Sequence, residues 1–471
     1  MFKRFILPLF LLSALLLTFT SCSKDNPTGN NEKGLYADVN NWILANMNFY
    51  YYWNEQVPDE VNENQIPETF FNNMLEPNDE FSYISDDAES LLDDLNGSSV
   101  TAGFSPAFGR FEGTDEVFII VEFVYPNSPA DEAGLQRGDM ITKINGFTLF
   151  VNNYLDLYYE EGEIDYTVRS YDPEQGLSED SEIITLTKTE LSTDPVLYTD
   201  IIEEGSNKIG YIFYTRFLAG QTDQFIQSVD NTLSEFQNAG VTELVVDLRY
   251  NPGGTIRAAE NFANSLAPAN VTSNNEIFVK YEYNDQLEEY YIENEGMDSP
   301  NLVSRFSEDP INLNLDRAFF LTSSSSASAS ELLINGLEPY MDVVSIGENT
   351  FGKFYGSYVL TGRNSNPPNN YAIVPVTLKY ANADGVTDFR NGLEPDHEVV
   401  EDLLAPKPIG DTSDPLLAKA IEIITGETSP IAKQPVDLFY EKLPDPVELR
   451  RGNIFSKDRL PVAIPEKNPQ Q

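Results

Sequence analysis

Ser326-Ala327-Ser328-Ala329-Ser330-Glu331, followed by Phe351-Gly352-Lys353, is the stretch on which the reading of this chain turns. A short apolar run, Ala318 to Leu321, leads into the serines and reads as a buried strand. The residues after Ser328 read as a helix through about Leu337. A hydroxyl at a strand-to-helix turn sits beside helix amides that have no partner of their own, at the positive end of the helix dipole. Such amides can hold the oxyanion formed when a hydroxyl attacks a carbonyl. A serine needs a base to become a nucleophile. The chain has one histidine, His397, in the polar turn Glu394-Pro395-Asp396-His397, where an exposed loop residue is the simpler reading. Lysine is therefore the natural candidate base.

Both residues also have plainer readings. Ser328-x-x-Glu331 is a capping box, and Lys353 in the loop Gly347 to Lys353 could be a surface charge. To act as a base near pH 7, Lys353 must lose roughly 3 units of pKa, about 4 kcal/mol of burial penalty. Phe351 and Phe354 flank it and could exclude water.

A third element lies upstream. Leu244 to Leu248 reads as a buried strand, ending in Arg249-Tyr250-Asn251-Pro252-Gly253-Gly254. Ligands of open α/β sheets bind at the carboxyl ends of strands. An amide of this Gly-Gly turn could pair with the Ala329 amide around an oxyanion, or the segment is a mere turn.

Outward from these motifs, residues 208 to 400 alternate strands and helices, as in an α/β core. A helix marked by Phe225, Val229, Leu233 and Phe236 should stop at Gly240. Residues 270 to 310, rich in Tyr, Asn and Glu, read as an insertion or cap. Residues 34 to 96 read as a small helical domain, with Trp42, Phe49, Tyr50 and Trp53 as core. Residues 97 to 190 read as a small β domain, with Asn145-Gly146 as a hairpin turn. The tail from 429 to 471 is proline-rich and reads as loosely packed.

The bulk numbers bound the function. The chain has 471 residues, 41% apolar, with net charge −47. That length can hold several cores, and that charge repels a phosphate backbone, which argues against nucleic acid as a partner. Lys3, Arg4 and the apolar run from Phe5 to Leu17 read as a signal peptide over 1–21, too short to span a bilayer. Cys22 is the only cysteine, so no intrachain disulfide can form. Residues 22–33 read as a tether.

D-L-R-x-N-P-G-G at 247–254, S-A-S-A-S-E at 326–331 and G-E-x-T-F-G-K at 347–353, in that order, resemble the carboxy-terminal processing (tail-specific) peptidases. K-I-G-Y-I at 208–212 and G-L-E-P-D at 392–396 extend the likeness. The resemblance implies a crotonase-like α/β core (a ββα spiral) over 191–428, a β-rich PDZ domain over 97–190 and an N-terminal helical domain over 34–96. It implies a Ser-Lys dyad, with Ser328 as nucleophile and Lys353 as base, an oxyanion hole from the amides of Ala329 and of Gly253 or Gly254, and no metal or cofactor. Ala133-Gly134-Leu135 and Gly138-Asp139-Met140-Ile141 carry the PDZ likeness. Ala102-Gly103-Phe104 approximates its carboxylate-binding loop, which would deliver unstructured polypeptide tails to the serine. Several members carry Gln or Glu one helical turn after the lysine. Ser357 stands there in this chain as the possible lysine support. Thr20-Ser21-Cys22 resembles a bacterial lipobox, which implies lipidation of Cys22 and a lipid-anchored protein of the cell envelope, outer-membrane or periplasmic. A plain secretory signal is the alternative. The implied activity is endopeptidase. A peptide-binding lipoprotein that keeps the fold but does not cut is the second reading.

Overall fold

A computed structural model describes residues 34–172, 176–179, 181–427, 440–443 and 454–455. The signal segment, Cys22 and the tether lie outside the described residues, as does most of 429–471.

The central sheet has six strands, ordered Val196–Glu204, Asn207–Tyr214, Glu243–Asp247, Arg317–Thr322, Asp342–Gly347 and His397–Glu398. The first pair is antiparallel and the rest are parallel. Parallel strands need crossovers, and helices Gln224–Ala239, Ile256–Leu266 and Ala329–Leu337 lie on them. Strands buried on both faces read as unbroken apolar runs, which is why Leu244-Val245-Val246 was legible. Gly240 stops the first crossover helix in the left-handed region, at φ 72°. Leu244, Val246, Ala318, Phe320 and Leu333 join one core on one side of this sheet, while Val245, Phe319 and Leu321 join another.

Beside it lies a second sheet that includes Ile277–Glu282, Val376–Asn382 and Tyr355–Ser357. The stretch 270–310 is therefore not a cap. Phe278, Val279, Tyr281, Tyr283, Leu287 and Tyr291 are all buried in the main core. Their polar neighbours face outward, and that alternation masked a strand and a helix as a polar insertion.

Residues 34–96 carry helices Ala37–Tyr50, Pro67–Asn72 and Ala88–Leu95, with Phe49 and Tyr50 buried. They also contain the strand Tyr83–Ser85, paired antiparallel with Ala372–Val374. The Tyr52 amide donates to the Val376 carbonyl at 2.8 Å, and the Ser82 hydroxyl accepts from the Val376 amide at 2.8 Å. The N-terminal region is thus stitched to the second sheet.

Residues 97–190 form a third sheet, ordered Glu182–Thr187, Glu163–Arg169, Met140–Ile144, Val117–Val124 and Phe104–Phe111. Asn145 and Gly146 have φ of 50° and 77°, as a two-residue type I′ hairpin requires. Tyr440–Leu443, from the tail, pairs with the outer edge of Phe104–Phe111.

Candidate active site

The serine-rich turn leaves the central strand Arg317–Thr322 and enters the helix Ala329–Leu337. Most of its hydroxyls hold the turn in place. Ser326 Oγ donates to the Leu248 carbonyl at 2.8 Å, and Ser330 Oγ donates to the Asn251 carbonyl at 2.9 Å. Ser323 Oγ donates to the Arg249 carbonyl. The Ala327 amide donates to Asn251 at 3.1 Å. The two motifs are thereby bolted together, strand end against strand end. Ser328 differs: its Oγ is buried and has no hydrogen-bond partner among the described residues. Its backbone sits at φ 63°, ψ −107°, a conformation that costs a non-glycine residue of order 1–3 kcal/mol and persists only where the surroundings enforce it.

Glu331 is part of that enforcement. Its side chain is fully buried. Oε2 accepts the amides of Ser328 at 2.7 Å and Lys353 at 2.8 Å. Oε1 accepts the Thr350 hydroxyl and the Gly352 amide, each at 2.6 Å. Burial pushes the carboxyl upward from its ordinary range, and these four donors act against that shift. The sequence reading had Glu331 only as half of a capping box. Its amide partners in the lysine loop carried no signal that sequence spacing could reveal.

Lys353 is also fully buried. Burial pulls its ammonium down to about 7, opposed by the charges of Glu331 and Asp79. Nζ has no hydrogen-bond partner among the described residues and lies 4.7 Å from the centroid of the Phe81 ring. Phe81 also stacks edge-on against Phe351, with centroids 6.3 Å apart. The Asp79 carboxylate accepts from Tyr51 Oη at 2.8 Å and from the Phe81 and Ser82 amides at 3.0 Å. The N-terminal region therefore supplies one wall of the lysine pocket, which the sequence reading missed.

Ser357 lies buried in the strand Tyr355–Ser357, and its Oγ likewise has no partner. No direct bond joins it to Lys353. Nor do Ser328 Oγ and Lys353 Nζ bond each other. The two residues meet through their backbones, on Glu331 and at Tyr380 Oη, whose one proton is shared between both carbonyls at 3.4 Å.

The Gly-Gly turn abuts Ser328. A Cβ on Gly253 would come within 2.8 Å of Ser328 Cβ and 2.9 Å of the Ala329 nitrogen. The Gly253 amide is held by Asn251 Oδ1 at 2.9 Å. Gly254 packs instead on the Phe217 backbone. The Ala329 and Gly254 amides donate to no acceptor among the described residues. At the base of the turn, buried Arg249 bonds Asp247, Glu401 and Asp414. Glu401 also takes Arg137, from the turn before the strand Met140–Ile144, at 2.5 Å. Burial alone would raise Glu401, but the two arginines hold it down near 2.

In the third sheet, Gly103 has φ 89° and its carbonyl accepts the Tyr125 amide at 2.9 Å. The Gly103 amide donates to Thr101 Oγ1 at 3.1 Å, and the Ala102 carbonyl accepts the Ala130 amide at 3.0 Å. Phe104 begins the edge strand. Among the described residues, no group of three or more His, Cys, Asp or Glu side chains is placed to hold a metal ion. No described helix is long and apolar enough to cross a membrane.

Three stretches of the chain match families of known proteins. Residues 208–399 match the model of Peptidase family S41, residues 38–83 match the Peptidase S41 N-terminal domain, and residues 120–149 match a PDZ domain. Residues 208–399 are a domain of peptidase family S41. Among S41 relatives, the carboxyl-terminal-processing protease of Picosynechococcus sp. is 25% identical over 304 residues, covering 64% of this chain and 65% of the relative. The carboxy-terminal processing protease CtpB of Bacillus subtilis is 23% identical over 351 residues, covering 73% of this chain and 64% of the relative. The chain thus spans somewhat less than two thirds of the length of these curated relatives. A solved structure from Bacteroides fragilis, assigned to the S41 proteases, is 27% identical with a TM-score of 0.67, covering 82% of this chain and 98% of its own. The S41 match includes Ser328, Lys353, Glu331 and the Gly-Gly turn. Phe81 falls in the N-terminal match.

Proposed function

We propose that this S41 peptidase is a serine endopeptidase of the carboxy-terminal processing type, cutting unstructured polypeptide tails with a Ser328–Lys353 dyad on a crotonase-like core. The observation that carries the reading is the pair of buried, unpartnered reactive atoms, Ser328 Oγ and Lys353 Nζ, whose backbones share Glu331 Oε2. A buried amine and a buried hydroxyl without partners are costly features, and a shared catalytic task explains both.

The chemistry follows from the roles. Neutral Lys353 Nζ takes the Ser328 proton as Oγ attacks the peptide carbonyl carbon. The resulting oxyanion lies against the amides of Ala329 and Gly254, which have no acceptor among the described residues, with Gly253 giving the room. The Lys353 ammonium then passes its proton to the leaving amine. Water, activated by the same lysine, hydrolyses the acyl ester and restores Ser328. Catalytic hydrogen bonds are often long before substrate binds, so the open Oγ–Nζ gap closes as the substrate seats. Lys353 is supported by Glu331 at its backbone and by Phe81 at its tip, with Ser357, four residues on in the chain, as the candidate for further support. The Ala102-Gly103-Phe104 loop receives a substrate's terminal carboxylate, by strand addition to Phe104–Phe111. Export by residues 1–21 and lipidation at Cys22 would anchor the enzyme at a membrane of the cell envelope.

The missing Oγ–Nζ bond and Ser357 also favour a second reading, a peptide-binding lipoprotein that does not cut. The two are separated by incubating an unstructured protein with the parent and with Ser328→Ala, alongside labelling by a fluorophosphonate probe. The peptidase reading expects cleavage and labelling in the parent and neither in Ser328→Ala. Equal cleavage by both proteins overturns it.

A further inference from the structure

The outer edge of the strand Phe104–Phe111 is already occupied by the chain itself. Tyr440–Leu443 pairs with it antiparallel, Tyr440 opposite Phe111 and Leu443 opposite Phe108. The polarity is informative. A tail whose terminal carboxylate sits at the Ala102–Phe104 loop must run antiparallel to this strand and end beside Phe104. Tyr440–Leu443 runs in that direction, toward the loop, and covers the half of the edge away from it.

The side chains fit the same reading. Leu443 packs on the apolar core of this sheet, the core that also takes Leu155 and Tyr158 of the helix Tyr154–Tyr158. Its strand partner Phe108 stacks on Tyr154 and Tyr158, with centroids 5.1 and 5.3 Å apart. Tyr440 is buried against Phe118, centroids 5.5 Å apart. Glu441 pairs with Arg110 across the strands. Lys442 Nζ reaches out of the sheet to Glu348 at 2.6 Å, in the loop that carries Lys353. Further on, Ile454–Phe455 pairs in parallel with Gly356–Ser357.

We propose that Tyr440–Leu443 is an internal ligand of the PDZ sheet edge, and that a polypeptide tail longer than about four residues must displace it to bind. The segment is then an autoinhibitory strand. The residues Phe104 to Ala107 stay open to a short terminal peptide, whereas a longer tail competes at Phe108 to Phe111. Displacement also breaks the Lys442–Glu348 pair, so arrival of a long tail is felt at the Lys353 loop. This rests on the peptide-receiving role proposed above for the PDZ region, and not on the Ser-Lys chemistry.

The test measures binding, in full-length protein carrying Ser328→Ala so that nothing is cut. Two fluorescent peptides with free carboxylates and an apolar last residue are titrated by anisotropy, one of twelve residues and one of four. If the edge is covered nine times in ten, uncovering it tightens binding about tenfold. Leu443→Asp should therefore bind the long peptide about tenfold more tightly and the short one unchanged. A chain ended at Val436 should behave like Leu443→Asp, and serves if that variant melts early. Hydrogen exchange on the Ser328→Ala protein gives a readout free of edge variants: saturating long peptide should speed exchange at the amides of 440–443. Equal affinity for the long peptide with and without the segment overturns the proposal. So does binding without faster exchange at 440–443, and so does no binding by any of the proteins. Probe labelling of Ser328 in the parent judges the peptidase reading separately.

Discussion

The backbone amides of Ser328 and Lys353 donate to one and the same atom, Glu331 Oε2, at 2.7 and 2.8 Å. Two loops from different strand ends are thereby fixed to each other at the two residues of the proposed dyad. The carboxylate fixes the position of both.

Glu331→Gln replaces one acceptor oxygen by a donor facing other donors. Losing charge-assisted bonds in a buried site costs roughly 1.5–3 kcal/mol each. The expected result is a drop in kcat of about a hundredfold or more, with a lower melting temperature. Steady-state kinetics and a thermal melt check both, and retained kcat would remove Glu331 from the positioning role.

The rate should follow the lysine. Burial lowers Lys353 to about 7, and only the neutral amine accepts a proton. Thus kcat/KM should rise with pH through about 7 and level off above it. Phe81→Ala admits water to Nζ and weakens the desolvation, so the midpoint should move up by about one unit, while Phe81→Leu should stay near the parent. A pH–rate profile of the three proteins decides.

The same lysine is a burden on the fold. Its folded-state value is depressed, so between about pH 7 and 10 the unfolded chain holds a proton that the folded chain does not. Stability should therefore rise with pH across that window. Lys353→Met, apolar and of similar length, should be inactive yet more stable at pH 7 by about 2–4 kcal/mol, and should lose this pH dependence. Denaturant melts at pH 7 and 9 measure both effects.

Gly253→Ala would place a methyl 2.8 Å from Ser328 Cβ and from the Ala327 carbonyl oxygen, at φ 107°. Backbone cannot yield cheaply there. Activity should fall at least a hundredfold, and probe labelling of Ser328 should fall with it. Gly240→Ala, at an open helix end, should leave turnover nearly unchanged and lower stability by about 1 kcal/mol.

What the sequence made legible was local. Asn145-Gly146 and Gly240 announce their turns because few residues accept positive φ. Leu244-Val245-Val246 announces a buried strand by its unbroken apolar run. Ser328 was singled out among its neighbours only by resemblance, since Ser326 and Ser330 look equivalent until their hydroxyls are seen bonded to Leu248 and Asn251. Glu331 was visible as a cap, but its bonds to Thr350, Gly352 and Lys353 join loops that only the sheet brings together. Phe81 sits in a short polar stretch, and its place over Lys353 depends on the pairing of Tyr83–Ser85 with Ala372–Val374. Tyr440–Leu443 was hidden because edge pairing leaves little trace in a four-residue segment.

That small strand, Tyr83–Ser85, has a consequence in time. On the proposed chemistry, the lysine becomes a base only after an early part of the chain has docked onto a strand made much later. A newly made chain therefore passes through a silent interval in which Ser328 is already made but Lys353 is still wet and protonated. Self-cleavage is suppressed while the protein is most vulnerable to it, and competence arrives only with the completed fold.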